Sequence, residues 1–254
     1  MRKRMGLGVF FVLCLSLALI INMPVSHVLA QFKLPNNISL SGVKGTVFDG
    51  NIDSLVVNKI QLSDLGYTFK PGCLLNLKAC YEIDADQGQG QISANPIDQS
   101  IDLNGFEINY PLENLAAFSD KLLVRPSGDL QIFIDTLNLK QERVGQVNAR
   151  VLWQQAGIVG EAIELGDYEL TIIQASQCYQ FELKDLKALL TVNGNGQLKS
   201  SGQYSMNIAI ESQPGLDQVI KSALEFVAKK KGLNRYDIRR SGQLPNQVLD
   251  HLSF

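Results

Sequence analysis

The sequence has few of the residues on which enzymes most often rely for chemistry. It contains only two histidines, His27 beside an apolar segment and His251 near the end of the chain. A Ser-His-Asp or Cys-His arrangement would need the tail to fold back over the body. The sequence contains no HExxH pattern, zinc-type Cys/His cluster, Walker loop or GxGxxG phrase. These absences predict a binding or scaffolding protein with no catalytic residue, metal or cofactor, although a carboxylate pair drawn from the 25 acidic residues stays an open alternative.

Long apolar runs are equally scarce, because only residues 5–21 approach the length of a membrane span. This excludes a polytopic membrane protein, which needs several runs of roughly 20 apolar residues. Arg2, Lys3 and Arg4 precede the run, and no charged residue follows it until Lys33. A basic end before an apolar run is typical of a segment whose N-terminus stays in the cytoplasm.

This N-terminal segment has two interpretations. It can be a transmembrane signal-anchor over residues 5–28, with residues 1–4 as a cytoplasmic end. It can also be a cleaved signal peptide, because Val28 and Ala30 are small residues placed as a signal peptidase requires. The length of the run favours the anchor. Both interpretations place residues 31–254 outside the cytoplasm.

Positive charge is also in short supply beyond the N-terminus. When the three basic residues at positions 2–4 are set aside, the other 20 basic residues face 25 acidic ones. Seven of those 20 lie between residues 221 and 240, so the rest of the chain is distinctly acidic. An acidic body binds phosphate backbones poorly, and we therefore expect no nucleic-acid partner.

Four cysteines fit an oxidising compartment. Cys14 lies in the apolar segment and Cys178 is far from the others, whereas Cys73 and Cys80 stand seven residues apart. The close pair is the natural candidate for a disulfide, and two separate buried thiols are the alternative.

Period-2 alternation of apolar residues dominates the body and predicts a mainly β protein. Residues 204–210 (YSMNIAI) alternate in this way, and a slip in phase at Gly105 predicts a bulge or a sharp turn. Many short strands about ten residues apart indicate an antiparallel architecture. The other alternating segments are Ile101/Leu103, Phe106/Ile108/Tyr110, Leu130/Ile132/Ile134 and Tyr179/Phe181/Leu183.

Helices and turns are predicted at a few places only. Residues 215–231 form the clearest helix, whose last turn would contain the lysines 229–231 and whose C-cap would be Gly232. Those lysines could instead touch an anionic surface or partner. A second short helix is predicted from Pro111, with Leu112, Leu115 and Ala116 on one face. Turn signals are Asp49-Gly50-Asn51, Ser127-Gly128-Asp129, Asn193-Gly194-Asn195-Gly196 and Ser201-Gly202.

Several phrases occur in the order typical of one known family. Residues 22–50 join the end of the apolar segment, a proline and a Leu-Pro pair to LSGVKGTVFDG. Further phrases are YTFKPGCLLNL at 67–77, GQVNARVLW at 145–153 and GLNRYDIRRSGQL at 232–244. In this order the chain resembles the type II secretion system protein N family, also called general secretion pathway protein N. Phe48 stands where that family usually has tryptophan, and the paired cysteines are not a general feature of it.

The resemblance implies a single-span protein of the bacterial inner membrane, with a periplasmic β-rich domain over residues 31–254. Its fold would be an extended, curved antiparallel sheet of the AsmA-like kind, with one or two short helices. It would be a non-enzymatic accessory or assembly component of the machine that exports folded proteins across the outer membrane. Its partners would be other inner-membrane and periplasmic components of that machine, and the inner membrane through residues 5–28.

Two hypotheses of different classes follow. In the first, the chain is a structural protein of the secretion machine. The family motif then either forms a partner surface or packs the core, and we favour the core; its residues are Gly45, Thr46, Phe48 and Gly50. In the second, an apolar groove of the sheet binds lipid. The sequence cannot locate the partner surface in either case.

Overall fold

The computed structural model shows a β-rich protein divided into two compact units, Met1–Gln87 and Gly88–Phe254. The domain bounds expected from the sequence stay a prediction. The structure describes residues 11, 15, 18, 19, 21–31, 37–57, 60–113, 126–141, 143–159, 164–176, 178–213 and 215–245.

In its described residues, the first unit is a meander of four antiparallel strands preceded by a short helix, α1 (Val25–Leu29). Each strand pairs with the next one along the chain. A 3₁₀ helix, Pro71–Asn76, joins the last two strands. The strands are β1 (Ile38–Gly45), β2 (Asp49–Val57), β3 (Ile60–Phe69) and β4 (Ala79–Ala85).

The described residues of the second unit form ten strands and one α-helix, α2 (Gln218–Val227). The strands follow their order in the sequence as far as β12, beyond which β14 pairs with β12 and β13 lies outside β14. All described pairs are antiparallel. The strands are β5 (Gly88–Asn95), β6 (Ser100–Pro111), β7 (Pro126–Lys140), β8 (Arg143–Ile158), β9 (Glu164–Ala175), β10 (Cys178–Ala188), β11 (Leu190–Lys199), β12 (Gln203–Ser212), β13 (Lys229–Lys230) and β14 (Arg235–Gln243).

The mainly β, antiparallel prediction is therefore confirmed, and each alternating segment named above lies in a strand. The bulge at Gly105 is confirmed as well, since β6 gains one residue relative to β5 between Asn104 and Glu107. The predicted transmembrane segment falls mostly outside the described residues. Within the described ranges, no helix combines the length and the apolar character that a membrane crossing requires.

Three of the four turn predictions were wrong, because the glycines serve other purposes. The first hairpin turns at residues 46–48, so Asp49 and Gly50 already belong to β2. Gly128 lies at a bulge within β7. Gly194 and Gly196 lie inside β11, where a Cβ would lie only 3.0 Å from Ile208 and 3.1 Å from Phe181 of the neighbouring strands. Only Ser201-Gly202 forms a turn, between β11 and β12.

One of the two helix predictions needs correction. The helix expected over 215–231 is shorter, because Lys229 and Lys230 leave it to pair with Asp237 and Tyr236 of β14. The lysines therefore do not cap the helix, and Gly232 follows the strand. Pro111 ends β6, and Leu112 and Glu113 directly after it adopt a 3₁₀ conformation, so the second predicted helix begins where expected while the rest of it lies outside the described residues. Leu115 and Ala116 lie outside the described residues, as do the side chains of Val219, Ala223 and Val227.

Full burial is concentrated where α2 meets the sheet of the second unit. Leu216, Ile220 and Leu224 lie on the face of this segment that packs against the sheet, and Tyr236 is 1% exposed. Burial raises the pKa of Tyr168 to about 12, with a further contribution from the Asp185 carboxylate, so this phenol stays neutral. The whole cluster consists of Ala156, Tyr168, Leu190, Val192, Ile210, Leu216, Ile220, Leu224 and Tyr236.

A row of apolar residues runs across eight strands of the second unit, next to this cluster. Its members face one another in register, so their side chains share one face of the sheet. Apart from Gly194, which is buried, they are only partly buried. The row consists of Ile108, Ile132, Val151, Leu170, Leu183, Gly194, Ile208 and Ile238.

Candidate functional site

The predicted family motif forms the β1–β2 turn of the first unit. The backbone N–H of Thr46 donates to the carbonyl of Asp49 at 2.8 Å. The hydroxyl of Thr46 accepts bonds from the backbone N–H groups of Phe48 at 3.2 Å and Asp49 at 3.3 Å. A short polar side chain that bonds nearby backbone groups stabilises a tight turn, which explains why threonine is suited to this position.

Two glycines flank the turn and pair with each other in register. Gly45 has a φ of +98°, in the left-handed region that side chains other than glycine rarely adopt. Gly50 must be glycine for a different reason. A Cβ there would lie 2.3 Å from the Lys44 carbonyl oxygen and 2.4 Å from the Tyr67 hydroxyl. Both positions therefore depend on the absence of a side chain.

The turn holds the end of the N-terminal segment. Pro24 forms an antiparallel bridge with Thr46, and the backbone N–H of Val47 donates to the Met23 carbonyl at 3.3 Å. From the other side, the hydroxyl of Tyr67 donates to the Thr46 carbonyl at 2.7 Å. The turn is thus bonded both to the chain that precedes α1 and to strand β3.

An aromatic cluster lies beneath this junction. The rings of Phe48 and Phe69 meet edge-to-face with centroids 5.2 Å apart, and those of Phe69 and Tyr81 are 5.3 Å apart. Tyr67 and Tyr81 complete the cluster at 6.3 Å. Each such pair contributes about 0.5–1.5 kcal/mol beyond the area it buries. Burial raises the pKa of Tyr67, with smaller contributions from Tyr81 and Asp49, so its hydroxyl remains a donor at neutral pH.

The candidate disulfide lies next to the same cluster. The structure joins Cys73 of the 3₁₀ helix to Cys80 of β4, with Cα atoms 5.9 Å apart. Cys80 is 3% exposed, and its carbonyl accepts a bond from the N–H of Lys70 at 2.8 Å. Cys178 is separate and its thiol donates to the Ala175 carbonyl. Cys14 lies outside the described residues.

The structure therefore brings the four motif residues together at one turn, as Gly45, Thr46, Phe48 and Gly50. The cysteine pair lies in the same unit, within the 3₁₀ helix and at the start of β4. Sequence reasoning missed the aromatic partners Tyr67, Phe69 and Tyr81, and also the bond to Met23. The alternation of Tyr67 and Phe69 is visible in YTF, but their pairing with the turn depends on strand register. The site as a whole holds the end of the N-terminal segment against the β1–β2 turn. Among the described residues, no group of three or more His, Cys, Asp and Glu is arranged to hold a metal ion.

A family model described as type II secretion system (T2SS), protein N, matches residues 36–239, which is most of the chain. The chain belongs to the type II secretion system protein N family. The match begins just before β1 and so includes the turn and the aromatic cluster. This membership supports a role for the chain as a component of the type II secretion machinery.

Relatives of the same name align over nearly the whole chain. The type II secretion system protein N of Aeromonas hydrophila is 22% identical over 255 residues, covering 96% of this chain and 100% of the relative. That of Vibrio cholerae serotype O1 is 21% identical over 261 residues, with the same two coverages. No solved structure matches this chain significantly.

Replacement of Gly50 should disturb the turn more than replacement of a nearby open glycine. We expect Gly50→Ala to destabilise the first unit by about 1–3 kcal/mol, because the new Cβ would overlap the Lys44 carbonyl and cannot be relieved without moving the backbone. Gly72→Ala is the matched control, since a Cβ added there would meet no atom within 4 Å beyond its chain neighbours. Thermal unfolding of the full chain measures both, and equal melting temperatures would contradict the packing role.

The cysteine pair can be tested chemically. If Cys73 and Cys80 are bonded, alkylation of the unfolded chain without reductant should leave both unmodified, and reduction should make both reactive, as read by mass spectrometry. Cys178 is the internal control, because it should react without reductant. Modification of all three before reduction would rule the bond out. Its contribution should stay below the roughly 3 kcal/mol of a 15-residue loop, because the closed loop is shorter.

Proposed function

We propose that this chain is an accessory or assembly component of the type II secretion pathway, anchored in the bacterial inner membrane through residues 5–28. In this proposal residues 31–254 lie in the periplasm and contact other inner-membrane and periplasmic components of the machine. The chain performs no catalysis and aids the export of folded proteins across the outer membrane.

The junction between the N-terminal segment and the β1–β2 turn is the observation that carries this proposal. The Met23 carbonyl and Pro24 are bonded directly to Val47 and Thr46, so the chain just after the apolar run is held against the β1–β2 turn. A membrane anchor joined in this way would fix the position of the first sheet near the bilayer. Such an arrangement suits a protein that organises others at a membrane better than one that diffuses with cargo.

A secretion assay tests both parts of the proposal. Cells that lack this chain should release less exoprotein into the medium and retain it in the periplasm, and the full chain should restore release. A variant in which a cleavable signal peptide replaces residues 1–30 should reach the periplasm but restore release poorly, because the anchor is missing. Normal release without the chain would reject the secretion role. Full rescue by the soluble variant would reject the anchor alone.

A lipid-binding module is the second candidate, and the apolar row of the second unit is the observation that favours it. Its side chains are only partly buried, whereas α2 packs on the adjacent residues, Val192, Ile210 and Tyr236. An apolar sheet face of this kind can accept an acyl chain, because contact with hydrocarbon removes apolar area from water.

In-cell photo-crosslinking separates the two candidates. A photoreactive residue at Ile132, on the apolar face, should capture lipid if the second candidate is correct, while the same residue at Gln131, on the opposite face, should not. Mass spectrometry of the adducts identifies what is captured. Capture of secretion components from either position, without lipid, would leave the first candidate alone.

A further inference from the structure

We propose that the outer edge of β14 binds an extended, acidic segment of a partner protein by adding it as a further strand. This inference deepens the proposed function by naming a partner surface, and it rests on that function only for the identity of the partner.

The hydrogen bonds of β14 fix which of its residues point outwards. The N–H of Ser212 donates to the Asn234 carbonyl and the N–H of Leu244 donates to the Gly202 carbonyl, both at 2.9 Å. In an antiparallel ladder these bonds recur at every second residue, so the even-numbered residues of β14 bond inwards to β12. The backbone groups of the odd-numbered residues therefore point away from β12.

Strand β13 covers only the first part of this outer edge. The N–H of Lys231 donates to the Arg235 carbonyl at 2.8 Å, and Lys229 pairs with Asp237. Beyond that point, no strand in the described part of the chain lies outside β14. Arg239, Ser241 and Gln243 thus present outward N–H and C=O groups in an alternating series, which is the template that strand addition requires.

Charge at this edge selects an acidic segment. Lys229 and Lys231 pair with Asp237 and Arg235 of β14, so both lie on the same face of the sheet as Arg239. The Arg239 side chain is 73% exposed, whereas that of Asp237 is 11% exposed and already contacts Arg239 at 3.7 Å. Lys229 and Lys231 lie at the covered start of this edge and Arg239 at the start of its open part, so three cations on one face attract a strand that carries carboxylates on that face.

The remaining charges of the region do not cancel this pattern. Lys230 is paired with Glu225 at 2.9 Å and Arg235 contacts Glu211 at 3.6 Å. Arg240, on the opposite face from Arg239, is exposed as well. A second copy of this edge would bring like charges together, so pairing of β14 with itself is disfavoured.

A groove beside the edge offers room for an apolar side chain of the added strand. Its lining includes Phe226, Lys229, Ile238 and Arg239. Phe226, near the end of α2, is 77% exposed. A strand that brings both backbone groups and side chains fits this combination better than a lipid headgroup, which cannot satisfy donors and acceptors in alternation.

A peptide assay tests the proposal with the full chain in detergent. The probe is a fluorescent synthetic peptide of alternating threonine and glutamate, and a peptide of alternating threonine and lysine is its control. Fluorescence anisotropy should show binding of the glutamate peptide only. Hydrogen exchange should show that the peptide protects the amides of Arg239, Ser241 and Gln243.

Two substitutions separate the backbone from the charge. Ser241→Pro removes an outward N–H without removing a bond to β12, so it should weaken binding by about tenfold or more, whereas Ser241→Ala should bind like the wild type. Arg239→Glu should reduce binding of the glutamate peptide without any change in the backbone. This variant still tests the role of charge if the proline variant fails to fold.

Three results would overturn the inference. In the first, the glutamate peptide does not bind, and in the second, the proline and alanine variants both fold and bind the peptide equally well. In the third, phosphatidylglycerol in the micelles displaces the peptide and the β14 amides are not protected. The last result would assign the edge to anionic lipid. Because the assay does not measure secretion, its failure is distinguishable from failure of the proposed function.

Discussion

Backbone pairing between neighbouring strands is the interaction on which each unit depends. The extensive contacts of every described strand are with its ladder neighbours. Few side chains are fully buried as a result, and most are partly covered by neighbours on the same face of the sheet. Cross-strand pairs, rather than packing of one layer on another, must therefore supply most of the stability. Beside α2, the buried cluster adds stability by packing this helix on the sheet.

This dependence explains which parts of the fold could be predicted from the sequence. Alternation in segments such as YSMNIAI is a local signal of period 2, and the strands predicted from it are confirmed. Three of the four glycine-based turn predictions failed, because glycine also serves inside strands, at bulges and where a neighbouring strand comes close. Gly194 and Gly196 lie under Ile208 and Phe181, and no local pattern distinguishes this use from a turn.

The candidate site was predictable to a smaller extent. The motif residues Gly45 and Thr46 could be recognised from the family phrase, since a turn brings them together within a few positions. The bonds from Tyr67 to Thr46 and from Val47 to Met23 depend on the register of β3 and on the path of the N-terminal chain. The prediction that the lysines at 229–231 end the helix failed for a similar reason. Their composition continues the helical pattern, but Lys229 and Lys230 pair with Asp237 and Tyr236 as a strand.

The order of the strands also has a consequence for how the chain folds. Strands β1 to β4 in the first unit and β5 to β12 in the second pair with immediate neighbours in sequence, so each pairing closes only a short loop of chain. Such a sheet can grow hairpin by hairpin from its N-terminal end. The end of the sheet differs, because β14 pairs with β12 across the whole of α2 and β13, which is a longer closure than any hairpin among β7 to β12. Tyr236, a large and fully buried side chain, lies on β14, so the core beside α2 is complete only when that longer closure has been made.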